Sequence, residues 1–316
     1  MIKIGIVGVG SVGILHKKAI DAHPECELAA VCNRTESRAV ALAEGTNART
    51  YSDYKVMQEQ EDLDAVIVNL PHDMHKDVSI YFLEHKVAVL VEKPMANSVE
   101  ECDAMIAAAK KSGTALAVGH VQRYLGFNRE LKKLVQNGRL GKLCAIIENR
   151  SCDYFTDRPA WFLDKKQSGG GILMNYGAHS MDKILYTTGL SIEKVSAVTS
   201  NFLTDDNVEA TAQLLLTLSG GVSAVLTHCG CHIPSIQETT FYFTEGAAQA
   251  RGWELWVSEK GGEYTQVDCG DISKNFMEDQ IEEFVKFLKE EPSEIVTAEY
   301  ARDVICALET AYKQAE

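Results

Sequence analysis

The sequence has no apolar run near the roughly eighteen residues that a membrane-spanning helix needs. No charged leader with an apolar core precedes the first strand pattern, which begins at Met1-Ile2-Lys3-Ile4. Both absences set the expectation of a cytoplasmic chain with no membrane partner. Positive charge is short as well: 31 Lys and Arg stand against 45 Asp and Glu, for a formal net charge of -14. Nucleic-acid backbones are held by clustered cations, so no nucleic-acid partner is expected. A disulfide framework is missing too, because the nine cysteines are odd in number and scattered. Such cysteines read as reduced thiols. What is present is ordinary for a globular chain, 46% hydrophobic and 24% charged residues, and the length of 316 suits two domains.

The first 120 or so residues alternate β-branched runs with helical stretches. Strands are expected at Lys3–Val7, Leu28–Cys32, Ala65–Asn69, Ala88–Val91 and Ala115–Val118. Nearly continuous Val, Ile, Leu and Ala suits parallel strands buried on both faces. Helices are expected at Val12–Ala22, Glu36–Glu44, Lys76–His85 and Val99–Lys111, the last opened by Ser98 with Glu101 three residues on. This rhythm predicts a doubly wound parallel sheet over residues 1–122. Residues 123–316 are predicted to form an α+β domain with an open, mostly antiparallel sheet. Its helices are placed at Asn128–Gln136 and Asn175–Tyr186. Its strands are placed at Val195–Phe202, Ala210–Leu218, Ser223–Thr227, Thr239–Phe243, Trp253–Val257 and Tyr264–Val267. Amphipathic helices at about Phe276–Lys289 and Ala298–Lys313 close the chain.

Gly8-Val9-Gly10-Ser11-Val12-Gly13 is a G-x-G-x-x-G turn between the first strand and the first helix. Its glycines allow a tight turn and let a pyrophosphate approach the helix N-terminus. Gly8, Gly10, Ser11, Val12 and Gly13 are therefore candidate dinucleotide contacts. The ribose-reading position at the end of the second strand falls at Cys32-Asn33-Arg34. Asn33 offers no repulsion to a 2′-phosphate and Arg34 offers a guanidinium, which favours NADP over NAD. Four soft ligands in His228-Cys229-Gly230-Cys231-His232 lack a matching second pair, so no metal is expected.

Three further blocks carry a resemblance: Asn69-Leu70-Pro71-His72-Asp73-Met74-His75, then Glu92-Lys93-Pro94, then Ser168-Gly169-Gly170-Gly171 running through Asn175 and His179 to Asp182. In this order and spacing they resemble the Gfo/Idh/MocA oxidoreductases. The resemblance implies that Asn69, Leu70, Pro71, His75, Glu92, Lys93 and Trp161 line a nicotinamide cofactor, together with Asn33 and Arg34. It also implies that Lys93, His179 and Asn175 do the catalytic work and that Asn175 and His179 hold substrate. Arg123, at the domain junction, is a candidate either to hold an anionic or polyhydroxylated substrate or to make a structural ion pair. Two positions depart from the family pattern: Asn175 stands where Asp is common, and Phe162 follows Trp161 where Arg is common.

The residues agree with these roles. Pro94 stops the strand and holds Lys93 at the carboxyl edge, where open α/β sheets bind ligands. Asn175, His179 and Asp182 are spaced to share one helix face. His179 has the ordinary pKa best suited to a general base near neutrality.

The expected function is hydride transfer between NAD(P) and a secondary alcohol or ketone of a sugar, cyclitol or nucleotide sugar. Alternatives within the same resemblance are a non-catalytic NAD(P)-binding regulator and an NAD-dependent glycoside hydrolase. The resemblance also implies that the uncovered face of the second sheet makes a homodimer or homotetramer, where exposed apolar surface would otherwise be a liability.

Overall fold

The structure, a computed structural model, describes residues 1–156, 158–202, 207–270 and 276–315. It divides into two compact units, Met1–Val121 with Asn275–Asp303 and Gln122–Lys274 with Val304–Glu316. Among the described residues no helix is long and apolar enough to cross a membrane.

The first unit opens with β1 (Ile2–Val7), α1 (Ser11–Ala22), β2 (Cys26–Cys32), α2 (Glu36–Ala43), β3 (Arg49–Tyr51) and α3 (Tyr54–Gln60). It continues with β4 (Ala65–Val68), α4 (His75–Glu84), β5 (Ala88–Glu92), α5 (Val99–Ser112) and β6 (Leu116–Gly119). Ile4, Ile6, Val66, Ile67, Val89, Leu90 and Val118 are fully buried, as two-sided cover of a parallel sheet requires. Helix α5 starts as its sequence implies: the Ser98 hydroxyl accepts from the Glu101 N–H at 3.2 Å. It ends at Gly113 with φ +64°.

The second unit contains α6 (Gly126–Asn137), β7 (Leu143–Ser151), α7 (Lys165–Ser168), a π-helical turn at Leu173–Gly177 and α8 (Ala178–Thr188). Then follow β8 (Ile192–Ser200), β9 (Thr211–Leu218), β10 (Ser223–Cys229), β11 (Ile236–Phe243), β12 (Gly246–Arg251), β13 (Glu254–Glu259) and β14 (Thr265–Val267). The eight strands are ordered β14-β13-β12-β11-β7-β10-β9-β8. All neighbours are antiparallel except β7 and β10. Ile146, Glu148 and Arg150 of β7 and Ala224, Leu226 and His228 of β10 are buried. Their neighbours on the opposite face are not: Ile147 is 48% exposed, Val225 43% and Leu215 51%.

The chain ends with α9 (Phe276–Leu288), β15 (Val296–Thr297) and α10 (Ala298–Ala315). Here the single cut at residue 122 needs correction. Helix α9 packs against α1, and Val296 of β15 pairs antiparallel with Val118 of β6. The first sheet is thus β15-β6-β5-β4-β1-β2-β3. The amphipathic face of α9 buries Met277, Ile281, Phe284 and Val285, giving a physical reason for that segment to return. Short elements β3 and α3 were not expected, nor were β7 and β12. Strand β7 lacks a plain apolar alternation because it buries Glu148 and Arg150 at inward positions.

Candidate active site

The β1–α1 turn shows why its glycines are needed. Gly8 has φ +99°, and a Cβ there would lie 2.0 Å from the Asn69 carbonyl oxygen. The Asn69 side-chain amide donates to the Gly8 carbonyl at 3.2 Å, bracing the turn against the end of β4. Across the turn, Asn33 Oδ1 accepts from the Val9 N–H at 3.1 Å, and Asn33 Nδ2 donates to the Thr35 carbonyl at 2.9 Å. Gly10 caps α1 with extended backbone, and no side chain fills the cap. Gly10 and Ser11 are exposed and Val12 is half-buried. The first N–H groups of a twelve-residue helix are therefore offered at the positive end of its dipole. This cradle fits the pyrophosphate of a dinucleotide. No carboxylate stands at the ribose-reading position, and Arg34 beside it is exposed.

At the carboxyl end of the same sheet, Glu92 closes β5 and is buried. His16 Nε2 lies 2.7 Å from Glu92 Oε1, and the Lys93 N–H donates to Glu92 Oε2 at 3.2 Å. Burial alone would raise the Glu92 carboxyl, but the His16 hydrogen bond and charge, with Lys93, outweigh it and hold the pKa below its usual value. His75 is also fully buried. Its Nδ1 sits 3.0 Å from the Pro94 carbonyl and its Nε2 2.9 Å from the Leu70 carbonyl. That ring ties the loop after β4 to the loop after β5, with half-buried Lys93 between Glu92 and Pro94.

In the second unit the glycine-rich loop is pinned by a residue the sequence reading missed. Glu209 accepts from the Gly171 N–H and the Leu173 N–H, each at 2.8 Å, and from the Tyr312 hydroxyl at 2.9 Å. A Cβ on Gly171 would lie 2.1 Å from the Glu209 carbonyl oxygen. The loop leads into the π-helical turn, which carries Asn175, and α8, which carries His179. Both are buried. Tyr154, fully buried, hydrogen-bonds Asn175 and donates to the Gly171 carbonyl at 3.3 Å. Arg158 donates from Nε to the Tyr154 carbonyl at 3.1 Å and from Nη2 to the Tyr176 hydroxyl at 3.3 Å. The Arg150 guanidinium lies 4.5 Å from the Tyr176 ring centre.

Two family models match this chain: "Oxidoreductase family, NAD-binding Rossmann fold" over residues 2–120 and "GFO/IDH/MocA C-terminal domain" over residues 128–249. The chain belongs to the Gfo/Idh/MocA oxidoreductase family. It is 27% identical over 254 residues to the uncharacterized oxidoreductase YrbE of Bacillus subtilis, across 78% of this chain and 72% of that one. It is 31% identical over 203 residues to D-glucoside 3-dehydrogenase of Escherichia coli, across 62% of this chain and 57% of that one. A levoglucosan dehydrogenase solved with NADH shares the fold, with a TM-score of 0.91 at 18% identity, covering 99% of this chain and 96% of that one.

As a Gfo/Idh/MocA oxidoreductase, the chain places its sequence-identified residues in three ways. Gly8, Gly10, Ser11, Val12, Gly13, Asn33, Arg34 and Asn69 gather at the β1–α1 turn or the strand ends beside it. Leu70 and Pro71 continue from Asn69 along the loop after β4. Asn175 lies within hydrogen-bond reach of Tyr154, and His179 follows one turn on. Trp161, in the second unit, stacks on Phe162 with ring centres 3.7 Å apart.

Three of these segments find partners inside the protein. His75 is fully buried and Glu92 is 8% exposed, and their partners His16, Leu70 and Pro94 make them positioning groups for the loops around Lys93. Arg123 lies buried against Asp182 at 2.5 Å and over the Tyr186 ring at 4.9 Å, the structural ion pair that stood open beside a substrate role. Asp182 is thereby committed to that ion pair. At the metal-like segment, His228 turns inward to Ser180 at 3.0 Å, whereas exposed His232 meets Asp153 at 3.1 Å.

His16, Tyr154 and Glu209 were missed. His16 had a usable signal, a polar residue three positions past Gly13 on the buried face of α1. Glu209 had none, since its partners, two backbone N–H groups and the Tyr312 hydroxyl, are distant in sequence.

Proposed function

We propose that this oxidoreductase oxidises a secondary alcohol of a sugar, cyclitol or nucleotide sugar, or reduces the matching ketone, with NADP as its preferred cofactor. The observation that carries the reading is the place of Lys93. It stands at the carboxyl rim of the same parallel sheet whose β1–α1 turn forms the dinucleotide cradle. Asn33 and exposed Arg34 support NADP, since neither repels a 2′-phosphate and the guanidinium can pair with it. The resemblance to D-glucoside 3-dehydrogenase supports a carbohydrate alcohol as substrate.

The cradle at Gly8–Gly13 would hold the pyrophosphate. When bound, the nicotinamide would supply the hydride acceptor or donor. On the family resemblance, His179 is assigned removal of the hydroxyl proton in the oxidising direction, and Lys93 a hydrogen bond to the substrate oxygen as negative charge develops on it. Asn175 has no charge to lend, so it orients substrate or the His179 ring through its amide. Trp161 is assigned to the cofactor on the resemblance alone.

Lys93→Ala and His179→Ala should each lower turnover by roughly 10²–10⁴-fold while NADPH binding, followed by fluorescence, stays near wild type. Wild-type turnover in both variants sinks the assignment.

A further inference from the structure

Arg150 is a buried cation whose hydrogen bonding the second unit leaves incomplete. It is 4% exposed, and its Nε and Nη1 have no hydrogen-bond partner. The carboxylate on its own strand, Glu148, is taken by Lys183 at 2.7 Å and by Thr239 at 2.9 Å. Among the described residues neither Arg150 nor Arg158 enters an ion pair. Both stand by Tyr176, Arg150 on its ring and Arg158 on its hydroxyl. Tyr176 follows Asn175 directly in the π-helical turn. Arg158 also lies 4.4 Å from the ring centre of Tyr154, the residue that bonds Asn175. Leaving a buried guanidinium unpaired is costly, and a carboxylate or phosphate is the group that best matches its planar donors.

We propose that Arg150 and Arg158 form an anion subsite beside Asn175, so that the substrate of this enzyme carries a carboxylate or a phosphate ester. The proposal rests on the dehydrogenase reading for the word substrate, but the anion subsite stands on its own geometry. Arg123, which the sequence left open between such a task and a structural ion pair, is paired with Asp182.

The test uses the full chain with NADP⁺ present and matched ionic strength. Probes are the pairs glucose and glucuronate, galactose and galacturonate, and glucose and glucose 6-phosphate. Thermal shift and kcat/KM are read for each. At least one acidic member should exceed its neutral partner by about tenfold or more in apparent affinity or kcat/KM, the effect expected of a hydrogen-bonded charge. The uronate and phosphate arms tell which anion is meant. Arg150→Met and Arg158→Gln should bring that ratio towards one, and Arg150→Lys should keep part of it. Circular dichroism and NADPH binding check that the variants fold; should Arg150→Met fail to fold, the more exposed Arg158→Gln carries the test. A ratio near one for all pairs in the wild type overturns the subsite, as does an unchanged ratio in Arg158→Gln. Anion-selective binding without turnover would keep the subsite and remove the dehydrogenase reading. Turnover of neutral sugars without anion preference would do the reverse.

Discussion

Asn33 shows how one side chain can hold a turn and set the reading of a ligand. Its amide is spent on the Val9 N–H and the Thr35 carbonyl, so it contributes neutrality where a carboxylate would repel phosphate. Arg34 is then the only part of that pair free to favour NADP. Arg34→Ala should raise the KM for NADP by about tenfold and leave the KM for NAD within about twofold. Equal changes for both cofactors would refute the assignment. At this scale the sequence was legible wherever backbone geometry dictated the residue, as at Gly8. It was silent on the partners of Arg123 and His75, because the chemistry of a side chain does not announce who its partner is. Buried Asp182 and the two carbonyls around His75 lie far off or across a loop, and only contact decides such pairings.

Helix α8 and strands β7, β10 and β11 share a buried polar cluster that no local pattern revealed. Lys183 meets Glu148 and Thr239, and His228 lies 3.4 Å from Glu148 and 3.0 Å from Ser180. Burial would raise the Glu148 carboxyl, but Lys183, His228 and Arg150 outweigh it and hold the pKa well below the usual carboxylate range. A carboxyl held low in the folded state stabilises it fully above the unfolded value, near pH 4.3, and loses that contribution as pH falls through the lower folded value. Glu148→Gln should cost about 3–5 kcal/mol at pH 7, because it leaves Lys183 buried without its charge partner. The gap in Tm between the two proteins should narrow below about pH 4. A gap that stays constant from pH 7 to pH 3 would show that Glu148 is not the titrating group. The same burial of charge hid β7 from sequence reading, since inward Glu148 and Arg150 break the apolar alternation by which strands are recognised.

Across the whole molecule, one surface asks for cover. Val225 of β10 lies opposite both Ile147 of β7 and Leu215 of β9, and all three side chains are exposed on the outer face of the eight-stranded sheet. Val198 of β8, 67% exposed, extends the apolar character of that sheet. We assign this face to a second copy of the chain, since a regular, largely apolar sheet face is self-complementary about a two-fold axis. Light scattering should give a dimer or tetramer, and Leu215→Arg should shift it to single chains. A wild-type monomer at micromolar concentration would end this proposal.

Length, the β-branched runs and the glycine turn determined without any structure that a doubly wound domain precedes an open-sheet domain. These are local signals: burial on two faces selects continuous apolar strands, and a close backbone approach admits only glycine. The spacing of Lys93 behind a strand end was legible for the same reason. Tertiary structure alone decided that α9 and β15 return to the first unit, because a helix does not encode which sheet its apolar face will cover. It alone decided which of the arginines is spent and which is left for a ligand. Arg123 found Asp182, 59 positions on, whereas the carboxylate nearest Arg150 in sequence was claimed by Lys183. Competition among charges for partners is settled by distance in space, and no order of residues along the chain records its outcome.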